Sequence, residues 1–176
     1  VYDNAAYVGY FNNGTTLLGS GERVTVTGPG SEWNNSAFVY LGYQGGGNSL
    51  IISNGGYAKT VSTPTTASLF IGDQTAAAGN NLVVVTGQGS ILTNTGGINL
   101  GSYGSDNQFI ISDGGRVDAT HVLMGYPGVG TGNNLLRVTG SNSLLNIQST
   151  VAGYGYIEPV YGPNNRILID NGGRLD

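Results

Sequence analysis

From Asn80 to Gly115 the chain reads NNLVVVTGQGSILTNTGGINLGSYGSDNQFIISDGG, and its apolar positions come in short runs of fixed order. An apolar run (Leu82 to Val85) leads to a turn (Thr86 to Gly89). An apolar pair (Ile91, Leu92) leads to a second turn (Asn94 to Gly97), and an alternating Ile98-x-Leu100-Gly101 leads to a polar loop before the next run. Short apolar runs bounded by Gly, Asn, Asp and Ser predict strands and turns, here three of each per cycle.

The cycle repeats. An apolar residue precedes glycine at Val8-Gly9, Leu41-Gly42, Ile71-Gly72, Leu100-Gly101, Met124-Gly125 and Ala152-Gly153, at intervals of 24 to 33 positions. Constant content with loops of variable length is the signature of a solenoid. A second ladder runs through Val26, Ile52, Val85, Ile111, Val138 and Ile169, with Val24, Leu50, Val83, Phe109, Leu136 and Ile167 two positions earlier. Residues two apart on a strand face the same way, so both columns are expected inward, with Val26, Ile52, Val85, Ile111, Val138 and Ile169 all buried and in register. Val39/Leu41, Leu69/Ile71, Ile98/Leu100 and Val122/Met124 form a similar inward pair, and Trp33, Leu92 and Leu145 a further column.

The cycles alternate in type. VTG ends the central run at Val26-Gly28, Val85-Gly87 and Val138-Gly140, whereas SNGG, SDGG and DNGG end it at Ser53-Gly56, Ser112-Gly115 and Asp170-Gly173. Asn or Asp before a double glycine suits a tight turn with positive φ. Asn80-Asn81, Asn133-Asn134 and Asn164-Asn165, with Asn48 and Asn107, precede the central run in five of six cycles. Side chains stacked about 4.8 Å apart can bond in a ladder; tolerance of turn geometry explains the same asparagines equally well. The fold expected is all-β: a right-handed parallel β-helix of six three-strand coils in three alternating pairs, spanning residues 1–176 as a single segment about 29 Å long.

Composition narrows the function classes. The chain has 176 residues, 32 glycines, no cysteine and 39% apolar residues, with a net charge of −4. The six basic residues (Arg23, Lys59, Arg116, Arg137, Arg166, Arg174) are scattered, so no basic patch for nucleic acid or anionic lipid is expected. No apolar run approaches the roughly 20 residues of a membrane helix. No cysteine cluster, phosphate loop with its lysine or Ca²⁺-binding nonapeptide is present, so no cofactor or metal is expected.

The ordered set read from Asn81 to Val117, with VTG, GS, the Leu100-Gly101 step and ISDGG, resembles the repeats of exported bacterial β-helix proteins of the autotransporter passenger type. The resemblance covers nearly the whole chain. It implies an extracellular or bacterial cell-surface location and a structural or adhesive role without catalysis, as stalk, adhesin or fibre body. A carbohydrate-active β-helix enzyme, a polysaccharide lyase or hydrolase, is the alternative, and a phage tail fibre segment a third reading. The translocator barrel that such proteins carry at the C-terminus has no counterpart here, which fits a fragment or a processed passenger.

An enzyme of that kind needs clustered carboxylates. Asp73, Asp106, Asp113, Asp118 and Asp170 are the candidates; Asp113 and Asp170 sit in the double-glycine turns two coils apart, where turn formation accounts for them. His121, the single histidine, has no serine or cysteine motif around it and is expected at the surface or partly packed. Asn13-Gly14-Thr15 and Asn34-Asn35-Ser36 match the N-glycosylation acceptor, as chance allows in so Asn-rich a chain.

Aromatic residues offer the candidate binding surface. Tyr10, Tyr43, Tyr126 and Tyr154 each follow a ladder glycine, and Tyr7, Tyr40 and Phe70 lie outward beside it. Exposed aromatics stack on sugar rings, which makes carbohydrate a candidate ligand, or they cover a corner of the fold. A lateral contact is expected at Ile51, Val84, Ile110 and Leu168, which face outward between the two inward columns. Either the insertion Val61 to Ala67 or another chain should cover them.

Both ends fall inside a repeat. DNGGRLD (Asp170 to Asp176) matches SDGGRVD (Ser112 to Asp118), and VYDNAAYVGY supplies the continuation with the alternation of coil types preserved. The expectation is one period of a longer array, continued by a tandem copy or by identical subunits stacked head to tail, with copies of itself as the partner.

Overall fold

The computed structural model describes residues 2–10, 19–126, 131–158 and 161–176. The elements are β1 (Tyr2–Asp3), β2 (Ala6–Val8), β3 (Arg23–Thr27), β4 (Glu32–Asn35), β5 (Val39–Leu41), β6 (Ser49–Ser53), β7 (Tyr57–Thr60), β8 (Ala67–Ile71), β9 (Leu82–Thr86), β10 (Ile91–Asn94), β11 (Gly97–Leu100), β12 (Gln108–Ser112), β13 (Arg116–Ala119), β14 (Val122–Met124), β15 (Leu135–Thr139), β16 (Leu144–Ile147), β17 (Ile157–Glu158), β18 (Arg166–Asp170) and β19 (Arg174–Leu175). They form three parallel sheets. A central sheet has the order β3-β6-β9-β12-β15-β18, a second β1-β4-β7-β10-β13-β16-β19, and a third β2-β5-β8-β11-β14-β17. The chain visits third, central and second sheet in turn, six times: a parallel β-helix, as the alternating runs predict.

The core lies between the sheets. Leu50, Val83, Phe109 and Leu136 stack in register, as do Ile52, Val85, Ile111 and Val138, all at most 1% exposed. Ala58 and Val117 complete the Trp33, Leu92, Leu145 column. Ile169 departs from the expected column. It pairs in register with Val138 yet is 43% exposed, because no coil among the described residues lies beyond β18.

A second correction concerns Ala152-Gly153. The last strand of the third sheet is β17, where Ile157 pairs with Val122, and Ala152 and Gly153 are exposed in a bend before it. The apolar-glycine pair is too short a signal to locate a strand when a corner insertion carries the same pair.

The asparagines divide between the two readings of them. The first residue of each pair takes the left-handed conformation, with φ of 59° at Asn80, 58° at Asn133 and 59° at Asn164; Gly47 (73°) and Asp106 (62°) do the same. The second residue forms a buried ladder. Asn48 Nδ2 donates to Asn81 Oδ1 at 3.0 Å, Asn81 Nδ2 to Asn107 Oδ1 at 2.9 Å, Asn107 Nδ2 to Asn134 Oδ1 at 3.1 Å and Asn134 Nδ2 to Asn165 Oδ1 at 3.0 Å. Each Oδ1 also accepts the backbone N–H of the preceding asparagine, and the second Nδ2 hydrogen goes to a carbonyl of the residue's own loop at Gly45, Ala78 and Gly104.

This ladder explains the glycine of the apolar-glycine pair. A Cβ on Gly42, Gly72 or Gly101 would stand 2.2, 2.4 or 2.2 Å from the Nδ2 of Asn81, Asn107 or Asn134, and the backbone there has φ of 72–76°.

The two turn types interlock as well. In the double-glycine coils Asn54 (φ 50°) and Gly55 (83°) form a mirror-image turn closed by Gly56 N–H on the Ser53 carbonyl. The VTG coils turn one residue later and bury Ser90 and Ser143. Ser90 Oγ then accepts the Gly55 N–H at 3.0 Å and Ser143 Oγ that of Gly114 at 3.0 Å. The first two double-glycine turns thus each rest on the serine of the following VTG coil.

Asn107→Ala removes an acceptor used twice by Asn81 and a donor to Asn134, so an expected loss of about 2–5 kcal/mol follows from stranding buried polar groups. The exposed neighbour Gln108→Ala should change stability by no more than about 0.5 kcal/mol, both read by denaturant unfolding. Gly101→Ala should cost clearly more than Gly153→Ala. Both have left-handed backbone, worth about 1–2 kcal/mol each, but only Gly101 faces an asparagine, and Gly153 has nothing within 4 Å.

Candidate functional site

The third sheet places Tyr7, Tyr40 and Phe70 in one outward column, by the pairing of β2, β5 and β8. Tyr7 and Tyr40 stack with centroids 5.0 Å apart at 9°, and Tyr40 and Phe70 at 4.7 Å and 15°. Tyr10 and Tyr43 stack beside them at 5.4 Å and meet Tyr7 and Tyr40 edge to face. Tyr7 and Tyr10 are 50% and 46% exposed, whereas Tyr43 is half-buried.

The four tyrosines singled out by sequence therefore separate into three places. Tyr10 and Tyr43 belong to this cluster. Tyr126 stacks on Tyr103 at 5.9 Å. Tyr154, carried by the bend before β17, lies against His121 and Tyr156. The stripe is interrupted because Asp73 and Ser102, not tyrosines, follow Gly72 and Gly101.

Ring geometry limits what the cluster can bind. A sugar stacks on an aromatic face, but the faces of Tyr40 are covered by Tyr7 and Phe70, one rung away on either side. Tyr40 therefore offers its ring edge and hydroxyl group, and exposed ring surface is concentrated at Tyr7 and Tyr10. Burial, and then the Asp73 carboxylate, hold the Tyr40 phenol above its ordinary pKa; the hydroxyl is a neutral donor at physiological pH.

Ile51, Val84, Ile110 and Leu168 are half-buried and lie in one column with exposed Thr25 and half-buried Arg137. Side chains one rung apart shield each other there. The insertion 61–67 does not cover them. It runs from the second sheet to the third instead, with Ser62 N–H donating to Thr95 Oγ1 at 3.1 Å and the Thr66 carbonyl accepting the Gly97 N–H at 3.0 Å.

Asp73, Asp113, Asp118 and Asp170 each accept a hydrogen bond from a nearby side chain, Asp73 from Gln74 Nε2 at 2.9 Å. Asp113 has φ of 52° in its mirror-image turn and accepts from Thr86 Oγ1 at 3.1 Å. Asp118 accepts from Arg116 and from Asn146 Nδ2 at 2.7 Å. Asp170 is level with Ser112 through Thr139, not with Asp113, and pairs with Arg137 at 2.8 Å. A hydrogen bond from Thr139, and then those from Arg137, hold the Asp170 carboxyl below its ordinary pKa. Among the described residues no group of three or more His, Asp or Glu side chains is placed to hold a metal ion. Asn34 of one glycosylation match donates to Glu32 at 3.1 Å; Asn13-Gly14-Thr15 lies outside the described residues.

His121 differs from expectation: it is 2% exposed, not at the surface. A Cβ on Gly97, one rung away, would stand 2.0 Å from His121 Nε2, so Gly97 makes the space that the ring fills. Nδ1 lies 3.0 Å from Thr120 Oγ1. No family model, curated protein or solved structure matches this chain.

Burial, opposed in part by a hydrogen bond to the Pro64 backbone, pushes the His121 pKa below 6.5. The unfolded chain therefore binds a proton at higher pH than the folded one, and stability is lost as pH falls through about 6.5. The melting temperature should drop between pH 7.5 and pH 5.5, and His121→Gln should flatten that slope.

Proposed function

We propose that this chain is a structural, non-catalytic β-helix rod segment of a bacterial surface or extracellular fibre, stacking head to tail with copies of itself. The observation that carries the reading is the continuity of three parallel sheets through six like coils, in which neighbouring coils bury each other's core side chains. Ile169 and Leu175 are 43% and 36% exposed, while their column neighbours Val138 and Leu145 are at most 1% exposed. β18 and β3 are edge strands of the central sheet. Exposed core columns together with open strand edges are a template for pairing, and solenoids cover them with a cap or another coil. A parallel coil of the same kind would extend the central sheet beyond β18 and the columns that end in Ile169 and Leu175.

The extracellular and bacterial assignment rests on the resemblance to passenger repeats. The reading without catalysis is supported by the local partners of Asp113, Asp118 and Asp170 and by the covered faces of the aromatic stack. Half-buried Ile51, Val84, Ile110 and Leu168 offer a side contact through which such rods associate laterally.

Small-angle scattering should show a rod whose cross-section stays constant while its length grows with protein concentration. A compact particle of fixed 18.1 kDa mass at every concentration would reject the head-to-tail reading.

A further inference from the structure

We infer that Asn54 is a site of spontaneous backbone modification, succinimide formation with Gly55, and that Ser90 of the following coil is the lock that keeps the site closed. The inference concerns a single copy of the chain and is independent of head-to-tail stacking.

The reaction belongs to the dipeptide. Once its proton has gone to solvent hydroxide, the Gly55 nitrogen attacks Asn54 Cγ; a C–N bond forms, the Cγ–Nδ2 bond breaks and ammonia leaves. Water then opens the five-membered ring at either carbonyl, giving aspartate or isoaspartate, the latter with an extra methylene in the backbone. Glycine after asparagine opposes this least, because it has no side chain beside the attacking nitrogen and the freest backbone. Among the described residues Asn-Gly occurs at Asn54-Gly55 and Asn171-Gly172, and Asp113-Gly114 stands at the same point of the middle double-glycine coil. The turn itself demands such residues. Their φ angles are 50° and 83° at Asn54 and Gly55, 52° and 87° at Asp113 and Gly114, and 50° and 86° at Asn171 and Gly172. The fold thereby places its most reactive dipeptide at a corner where Asn54 is exposed.

The stacked coils hold the two reacting groups apart. Gly55 N–H donates to Ser90 Oγ at 3.0 Å, and Ser90 is buried, so the proton that must leave is shielded from solvent. Asn54 Nδ2 donates to Thr27 Oγ1 at 3.3 Å. Ser90 lies in the following coil and Thr27 in the preceding one, so the nucleophile is tied to one neighbour and the electrophile to the other. The turn is closed by Gly56 N–H on the Ser53 carbonyl at 2.9 Å, which fixes the peptide plane between Asn54 and Gly55.

The next double-glycine coil repeats the arrangement independently. Gly114 N–H donates forward to Ser143 Oγ at 3.0 Å, and the Asp113 carboxylate accepts from Thr86 Oγ1 of the preceding coil at 3.1 Å. Asp113 also shows which product the fold tolerates. An ordinary aspartate keeps the turn and both bonds, whereas the extra methylene of isoaspartate lengthens the turn and takes the Gly56 N–H away from the Ser53 carbonyl. The lock therefore protects the corner against the second product.

The test follows aspartate and isoaspartate at Asn54 and Asn171 by mass spectrometry and chromatography of digests, during incubation in mildly alkaline buffer. The native 176-residue chain is compared with its Ser90→Ala variant and with the same chain held unfolded in guanidinium. Asn54 should react more than about tenfold more slowly in the native chain than in the unfolded one, since a hydrogen-bonded amide reacts only through local opening. Ser90→Ala should raise the native rate at Asn54 about tenfold, the factor that one lost hydrogen bond represents, and leave Asn171, which does not touch Ser90, unchanged. Melting curves show whether the variant is folded. Ser90→Cys, which keeps the size but only a weak acceptor, replaces it if the alanine variant does not fold, and should raise the rate severalfold. A native chain in which Asn54 reacts as fast as in the unfolded chain overturns the inference. So does a folded serine variant with the native rate at Asn54, or one in which Asn54 and Asn171 accelerate alike.

Discussion

A buried amide column at strand spacing is the constraint on which the rest of this fold depends. Asn48, Asn81, Asn107 and Asn134 are at most 1% exposed, and an amide there without partners would cost more than any one aliphatic contact returns. Satisfying four such groups in a row requires that every coil place an asparagine at the same height and angle. It requires a residue of positive φ before each one, and no Cβ on the strand-end residue beneath. The apparent excess of glycine and asparagine is thus the local chemistry that lets three parallel sheets close around a polar seam. The aliphatic columns supply most of the burial; the seam fixes the register in which they meet.

Much of this was legible in the chain itself. Alternation with a period of two, repeated at intervals of 24 to 33 residues, gives the strands, their inward columns and the alternation of turn types, because side-chain direction in a strand is fixed by parity. The asparagine pairs were not resolvable, since the two members are chemically identical and do different work, one through its backbone and one through its amide. His121 was misplaced for a similar reason. Alternation with inward Val122 makes it outward, but the chain turns just before β14, and the space that admits the ring is the missing side chain of Gly97, 24 residues earlier. Such a vacancy exists only once the rungs are stacked.

The aromatic cluster shows how stacking changes what a residue can do. Tyrosines that recur at the same point of each coil look like a platform in the sequence. At one-rung spacing, however, each ring covers its neighbour's face, and the surface left is a row of edges. The same geometry half-buries Ile51, Val84 and Ile110 without any loop over them.

Alternating turns add a further consequence for stability. Because Gly55 and Gly114 each rest on a serine of the following coil, the coils are coupled in pairs as well as by the continuous amide seam. A solenoid's stability is close to a sum of nearest-neighbour terms, and these terms differ between the two kinds of interface: one carries the serine contact and the other does not. Fraying is therefore expected to release an outermost coil alone and then the serine-coupled coils two at a time. The coil built of β17, β18 and β19 has a double-glycine turn whose serine partner is not among the described residues, and its core side chains are the exposed ones.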